Sequence, residues 1–264
     1  MATILITGGT GTLGRQVVAL LSGGGHEVRV LTRQARRDAD RVSYATGDLA
    51  TGSGIRAAVD GVSVIVHCAG SAKGDEQKTL NLVRAAQALS GAPHLLSISV
   101  AGADRVPVSG VFDRAMFGYF PMKLATEHVV RDSGLPWTVV RATQFYELFL
   151  KVSAAIAKLP IVPVPAGMLF QPIDTREVAR RIVELTFMPP AGLVAEIAGP
   201  KVYELPDLIR PYLRAAGKRR TLVPVALPGK AARAIRGGAV TVPGAAYGRR
   251  TWEDFVGERT PSAA

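Results

Sequence analysis

Fourteen residues at the N-terminus constrain this chain more than any other stretch. Ala2-Thr3-Ile4-Leu5-Ile6 is a short apolar run rich in β-branched residues, which reads as a buried parallel strand. It breaks into Thr7-Gly8-Gly9-Thr10-Gly11-Thr12-Leu13-Gly14, and an amphipathic helix with Leu13, Val17, Leu20 and Leu21 on one face follows. Strand, glycine loop and helix together form a cradle for a pyrophosphate. Glycines permit the tight turn and the close approach of backbone to phosphate, and the helix N-terminus faces the anion. The glycines fit two registers. Gly9, Gly11 and Gly14 spell G-x-G-x-x-G, whereas Gly8, Gly11 and Gly14 spell G-x-x-G-x-x-G.

The rest of the chain supplies the sheet that such a loop needs. Glu27–Arg33, Val42–Thr46, Val62–His67, His94–Val100 and Trp137–Arg141 read as strands. Helical periodicity lies between them, over 54–59, over 76–89 through Leu80, Val83 and Ala86, and from Tyr119 to Asp132. A loop is expected from Ala101 to about Gly118. Strands alternating with helices imply a Rossmann-type doubly wound parallel α/β sheet, in residues 1–150. Residues 151–264 change character and read as a smaller C-terminal substrate-binding cap. Pro160 to Pro165 is too broken by proline for a central strand. Asp174-Thr175-Arg176-Glu177 is a capping box before a helix with Val178, Ile182 and Leu185 on one face. Leu193–Ala198 adds a strand and Glu204–Ala216 a helix.

Composition excludes several classes. No apolar run approaches the roughly 18 residues needed to cross a bilayer, and the N-terminus lacks the pattern of a signal peptide. The single cysteine, Cys68, excludes an internal disulfide framework and suits a reducing cytoplasm. His26, His67, His94 and His128 show no metal-ligand spacing. A net charge of +11 invites a nucleic-acid reading, but the basic residues are scattered and lack interleaved aromatics. An anionic small molecule is the better match, and a monomer or homodimer is expected.

In a sheet of this kind ligands bind beyond the carboxyl ends of the strands. After the second strand come Thr32 and Arg33, with Arg36 and Arg37 close behind and no acid before Asp38. An acid there would bind the ribose hydroxyls of NAD(H), whereas arginine accommodates the 2′-phosphate of NADP(H). NADP(H) is the expected cofactor. Tyr119 and Lys123 form Y-x-x-x-K, one helical turn apart on one face. A neighbouring ammonium stabilises a phenolate, so the tyrosine can pass a proton to a carbonyl oxygen as hydride arrives. Ser99, just past the fifth strand, is placed to hydrogen-bond the same oxygen. Pro121 is tolerated only in a first helical turn, so the helix must begin at about Gly118 to Phe120.

These motifs resemble the short-chain dehydrogenase/reductase superfamily, nearest its atypical NmrA-like and NAD(P)H-binding branch. The resemblance rests on Thr7–Gly14, Gly47-Asp48-Leu49, Ser97–Asp104, Tyr119–Glu127, Gly134–Phe145 and Gln171–Val178. It implies a Rossmann fold, with Ser99, Tyr119 and Lys123 at the catalytic positions. The cofactor would meet Gly8, Thr10, Gly11, Thr12, Leu13, Gly14, Arg33, Arg36, Asp48, Leu49, Ala69, Gly70 and Lys123. The fourth strand departs from that pattern, ending His67-Cys68-Ala69-Gly70 where many relatives have Asn-Ala-Gly.

Aromatic residues cluster beside the tyrosine and after the sixth strand: Phe112, Phe117, Phe120, Phe145, Tyr146 and Phe149. Core packing explains most of them equally well. Phe112, Gln144 and Phe145 are the expected substrate contacts, forming a slot for a flat or apolar carbonyl or quinone. The expected activity is an NADPH-dependent reductase. A cofactor-sensing regulator without catalysis is the alternative, and an epimerase a further one.

Overall fold

Parallel strands covered by helices bury both faces, and here Ile4, Leu5, Ile6, Ile65, Val66, Leu95 and Leu96 are all at most 1% exposed. The structure is a computed structural model that describes residues 3–70, 74–244 and 247–259, so Ala2 lies outside the described residues. In chain order the first half holds β1 (Thr3–Thr7), α1 (Gly14–Gly23), β2 (Glu27–Thr32), β3 (Val42–Thr46), α2 (Ile55–Val59), β4 (Val62–His67), α3 (Asp75–Gln87), β5 (His94–Val100), α4 (Gly110–Phe117), α5 (Tyr119–Arg131) and β6 (Trp137–Ala142). There follow α6 (Tyr146–Ile156), β7 (Ile161–Pro165), β8 (Leu169–Phe170), α7 (Thr175–Thr186), β9 (Gly192–Leu193), β10 (Tyr203–Glu204), α8 (Leu205–Ala215), β11 (Thr221–Val225), α9 (Lys230–Arg236) and α10 (Trp252–Arg259).

The chain divides into two compact units that interleave along the sequence. The first comprises Met1–Ser99, Met122–Arg141 and Val178–Ala195. Its seven-stranded sheet has the order β3-β2-β1-β4-β5-β6-β9. β1 pairs in parallel with both β2 and β4, so the order reverses beside β1. That reversal is the switch point where a doubly wound sheet opens a crevice for a ligand. Leu5, Ile55, Ile65, Leu82, Leu95 and Val139 share one core beneath the sheet. Leu20, expected on the buried face of α1, is instead 41% exposed, because the core is met by Leu13, Val17 and Leu21. Of the expected strand at Leu193–Ala198, Leu193 pairs within β9 and Ile197 forms an isolated parallel bridge to Ala142.

The second unit comprises Val100–Pro121, Ala142–Glu177 and Glu196–Ala264. Tyr146, Phe149, Tyr203, Leu208, Trp252 and Phe255 form its aromatic core. Tyr146 and Phe149 therefore pack the fold rather than line a substrate slot. Ile161–Pro165 is a strand after all, though not a central one. It pairs in parallel with β11 alone, with Pro163 opposite Val223 and Val164 opposite Pro224. A two-stranded pair leaves one side of each strand without a ladder to feed, which is where proline fits.

The expected loop from Ala101 to Gly118 contains α4, and its end explains where α5 begins. Gly118 N–H still bonds Arg114 O, 3.1 Å away, as a helix would continue. Pro121 has no N–H to give to the carbonyl four residues back, at Phe117, and its ring crowds that carbonyl. The helix breaks there, and Tyr119 becomes the first residue of α5.

Candidate active site

The glycine loop is built by close approach. Gly8 adopts φ +70°, and a β-carbon there would stand 2.6 Å from Ala69 N. A β-carbon on Gly14 would collide with Gly8 O, and one on Gly9 would lie 2.8 Å from Val30 Cγ1. Both glycine registers therefore hold at once. Gly8 and Gly14 let the loop close on itself and on the end of β4, while Gly9 seats the loop on β2. Gly11 N–H donates to Gly8 O at 2.9 Å, which turns Thr10 and Gly11 outward at the exposed tip. Thr12 is half-buried and Leu13 buried. The first turn of α1 holds no acidic residue to repel an anion. These residues fit a pyrophosphate.

Beyond β2, Arg33, Arg36 and Arg37 are all exposed. Asp38, the first acid, is already engaged: its Oδ1 accepts the Tyr44 N–H at 2.9 Å and ties the segment to β3. Beyond β3, Asp48 Oδ1 accepts the Ala50 N–H at 2.9 Å, so it closes a local turn rather than capping α2. Gly54, φ +70°, occupies that cap position instead. Leu49 sends its side chain into the core, and its carbonyl accepts from Asn81 Nδ2 at 2.8 Å. Ala69 faces Gly8 across the loop, and Gly70 is exposed.

Lys123 is 3% exposed. Burial pushes its ammonium below the ordinary lysine range, and the carboxylates of Asp75 and then Glu127 oppose that shift. Its charge reaches the end of β4, where it helps to depress His67. His67 is held from both sides: Nδ1 lies 2.7 Å from the Thr7 hydroxyl and Nε2 lies 3.1 Å from the Thr79 hydroxyl. The Thr79 hydroxyl donates its one hydrogen to Asp75 O at 2.8 Å, so it accepts from His67. His67 is thus a neutral imidazole with its proton on Nε2, and Thr7 donates to Nδ1. Burial, with Lys123 second, lowers its pKa to about 3. Burial also pushes the Cys68 thiol up to about 12, so it is no thiolate at neutral pH. Glu127, one turn along α5 from Lys123, is committed to a bidentate pair with Arg141 at 2.9 and 2.7 Å.

Ser99 lies at the end of β5, 6% exposed, and its hydroxyl has no hydrogen-bond partner among the described residues. Tyr119 is 48% exposed and stands edge-on to Phe120, with ring centroids 6.1 Å apart. Phe112, on α4, is 44% exposed, while Phe117 and Phe120 are buried. Gln144 and Phe145 follow β6 and are half-buried. Asp174 caps α7, its Oδ1 accepting the Arg176 N–H at 2.8 Å. Asp75 and the Thr7–His67–Thr79 chain escape sequence reading. Asp75 shows there only as an acid at a helix start, and hydroxyl–imidazole contacts across 60 residues leave no local signal.

The NAD(P)H-binding family model matches residues 8–153, more than half of the chain. The chain belongs to the NAD(P)H-binding family. Among relatives, the (4-alkanoyl-5-oxo-2,5-dihydrofuran-3-yl)methyl phosphate reductase of Streptomyces griseus is 28% identical, over 81% of this chain and 74% of that protein. The NAD(P)H azoreductase of Xenophilus azovorans is 28% identical, over 85% of this chain and 77% of that protein. The NADPH-dependent quinone oxidoreductase of Escherichia coli, solved with NADPH, shares the fold with a TM-score of 0.78 at 20% identity, covering 97% of this chain and 99% of that one. This family membership supports a nicotinamide cofactor. No helix among the described residues is long and apolar enough to cross a membrane.

Proposed function

We propose that this protein is an NADPH-dependent reductase of a carbonyl or quinone group in an apolar or aromatic small molecule. The observation that carries the reading is α5 itself, which starts at Tyr119 and buries Lys123 one turn later. The bound nicotinamide supplies the hydride. Tyr119 gives the proton to the substrate oxygen, and the Lys123 ammonium favours the phenolate left behind. The unpaired Ser99 hydroxyl orients the same oxygen. Gly8, Thr10, Gly11, Thr12, Leu13 and Gly14 hold the pyrophosphate, with Asp48, Leu49, Ala69 and Gly70 along the adenosine and nicotinamide sides. Arg33 and Arg36 take the 2′-phosphate. Asp38, held by Tyr44, leaves no competing acid at that position. Phe112, Gln144 and Phe145 contact the substrate. The relatives' reductions of an alkanoyl-bearing phosphate and of azo compounds support this reading. The single cysteine supports a reducing, cytoplasmic setting.

The test is Tyr119→Phe, assayed for NADPH oxidation across quinones and aryl ketones. Turnover should fall at least tenfold with little change in NADPH affinity. Unchanged turnover would remove Tyr119 from the mechanism. Tight NADPH binding by the wild type with no oxidation on any compound would point to a cofactor sensor.

A further inference from the structure

The segment that leaves β6 is stitched down on both sides by its backbone. Thr143 N–H donates to Ile197 O at 3.0 Å, Ile173 N–H donates to Gln144 O at 3.0 Å, and Tyr146 N–H donates to Ile173 O at 3.1 Å. These main-chain groups are paired, and the segment is fixed in register with its neighbours. The side chains are not. Gln144 Oε1 and Nε2 are both buried from solvent, and neither has a hydrogen-bond partner among the described residues. The Thr143 hydroxyl, on a residue 1% exposed, is also unpartnered, but in an extended segment consecutive side chains leave on opposite sides. A buried amide with both ends unpaired is costly and rare, and it calls for a partner that the described residues do not supply. Exchanging the oxygen and nitrogen of the amide changes nothing, since both are unpaired.

We infer that Gln144 is a reading head for a primary carboxamide or its planar equivalent, a lactam or imide. Such a group presents an N–H and a carbonyl side by side, so Oε1 accepts the one while Nε2 donates to the other. Two molecules bring this group. One is the nicotinamide ring of the proposed cofactor; the other is a substrate that carries a carboxamide beside its reducible carbonyl. Both sources rest on the proposed reductase reading, but the recognition is tested by binding alone.

In one arm, calorimetry compares NADP+ with its 3-acetylpyridine analogue, which keeps the carbonyl and lacks the N–H. In the other, carried out with cofactor bound, it compares 3-acetylbenzamide with its N,N-dimethyl derivative. In at least one arm the wild type should prefer the primary amide about tenfold, as one lost pairing to a buried group implies. Gln144→Met, which keeps length and loses both polar atoms, should bring that ratio close to one by weakening the amide ligand more than its counterpart. The arm that responds identifies the source. Equal affinities in both arms for the wild type would overturn the inference, with or without a folded variant. A preference that survives in Gln144→Met would overturn it as well. Neither result depends on turnover, so binding to a protein that reduces no ketone still tests the role of Gln144.

Discussion

The carbonyl oxygen of Gly8 occupies the space that a β-carbon on Gly14 would need. The first residue of α1 thus touches the first turn of its own phosphate loop, and the helix N-terminus is drawn up to the site. At the other end of the same helix, Gly23 has nothing within 4 Å of its β-carbon position. The same substitution should therefore have opposite signs at the two ends. Gly14→Ala should cost about 1–3 kcal/mol through overpacking and weaken NADPH binding at least tenfold. Gly23→Ala should stabilise by roughly 0.5–1 kcal/mol through helix propensity and leave binding alone. Urea unfolding and NADPH titration of both variants check the pair.

Arg33 and Asp38 divide the labour beyond β2. The aspartate is spent on the Tyr44 backbone, so the arginine sets the charge met by the adenosine ribose. Arg33→Ser should raise the Kd for NADPH at least tenfold and barely change that for NADH, because only the 2′-phosphate loses a partner. Fluorescence titration with the two cofactors decides it. Equal losses for both would mean that Arg33 acts on the fold or on the pyrophosphate instead.

Much of this was legible because the signals were local. Val42–Thr46 and Val62–His67 stand between turn residues, the second with the β-branched run Val64-Ile65-Val66, and both strands match residue for residue. Pro121 marked the start of α5 because a proline permits a helix on one side of itself only. α4 was illegible for an equally physical reason. Its pattern is inverted, with Asp113 buried at 2% while Val111, Phe112 and Met116 are 83%, 44% and 55% exposed. Tyr146 and Phe149 were ambiguous in sequence because aromatic residues near a strand end suit a slot as well as a core. Only Trp252 and Phe255, a hundred residues on, decide that they are core. In the site, the glycines could be read from sequence, but the neutral state of His67 could not. It depends on burial and on the charge of Lys123, which only the fold brings to the end of β4.

Glu127 and Arg141 form the buried ion pair that anchors α5 to β6, with side chains 10% and 6% exposed. A buried pair is expensive to break because the remaining charge is stranded. Glu127→Ala should cost about 3–5 kcal/mol, whereas Glu127→Met combined with Arg141→Met should cost less than that single change. Denaturant midpoints of the two proteins, at equal m-values, supply the comparison.

His67 makes stability depend on pH with a definite sign. Its pKa falls from an ordinary 6.5 to about 3 on folding, since burial disfavours the imidazolium and Lys123 repels it. Between those values the unfolded chain binds a proton that the folded chain does not, so acid favours unfolding. The contribution is complete above pH 6.5 and is lost progressively as pH falls towards 3, by about 1.4 kcal/mol per unit within that window. A glutamine at this position can still accept from Thr7 and donate to Thr79, but it has no proton to gain. His67→Gln should therefore be of similar stability at pH 8 and distinctly less sensitive to acid, with a flatter slope of unfolding free energy between pH 6 and 4. Urea unfolding at each pH measures that slope. Parallel slopes in the two proteins would mean that His67 takes up its proton equally in both states, against the Thr7 hydroxyl that donates to Nδ1.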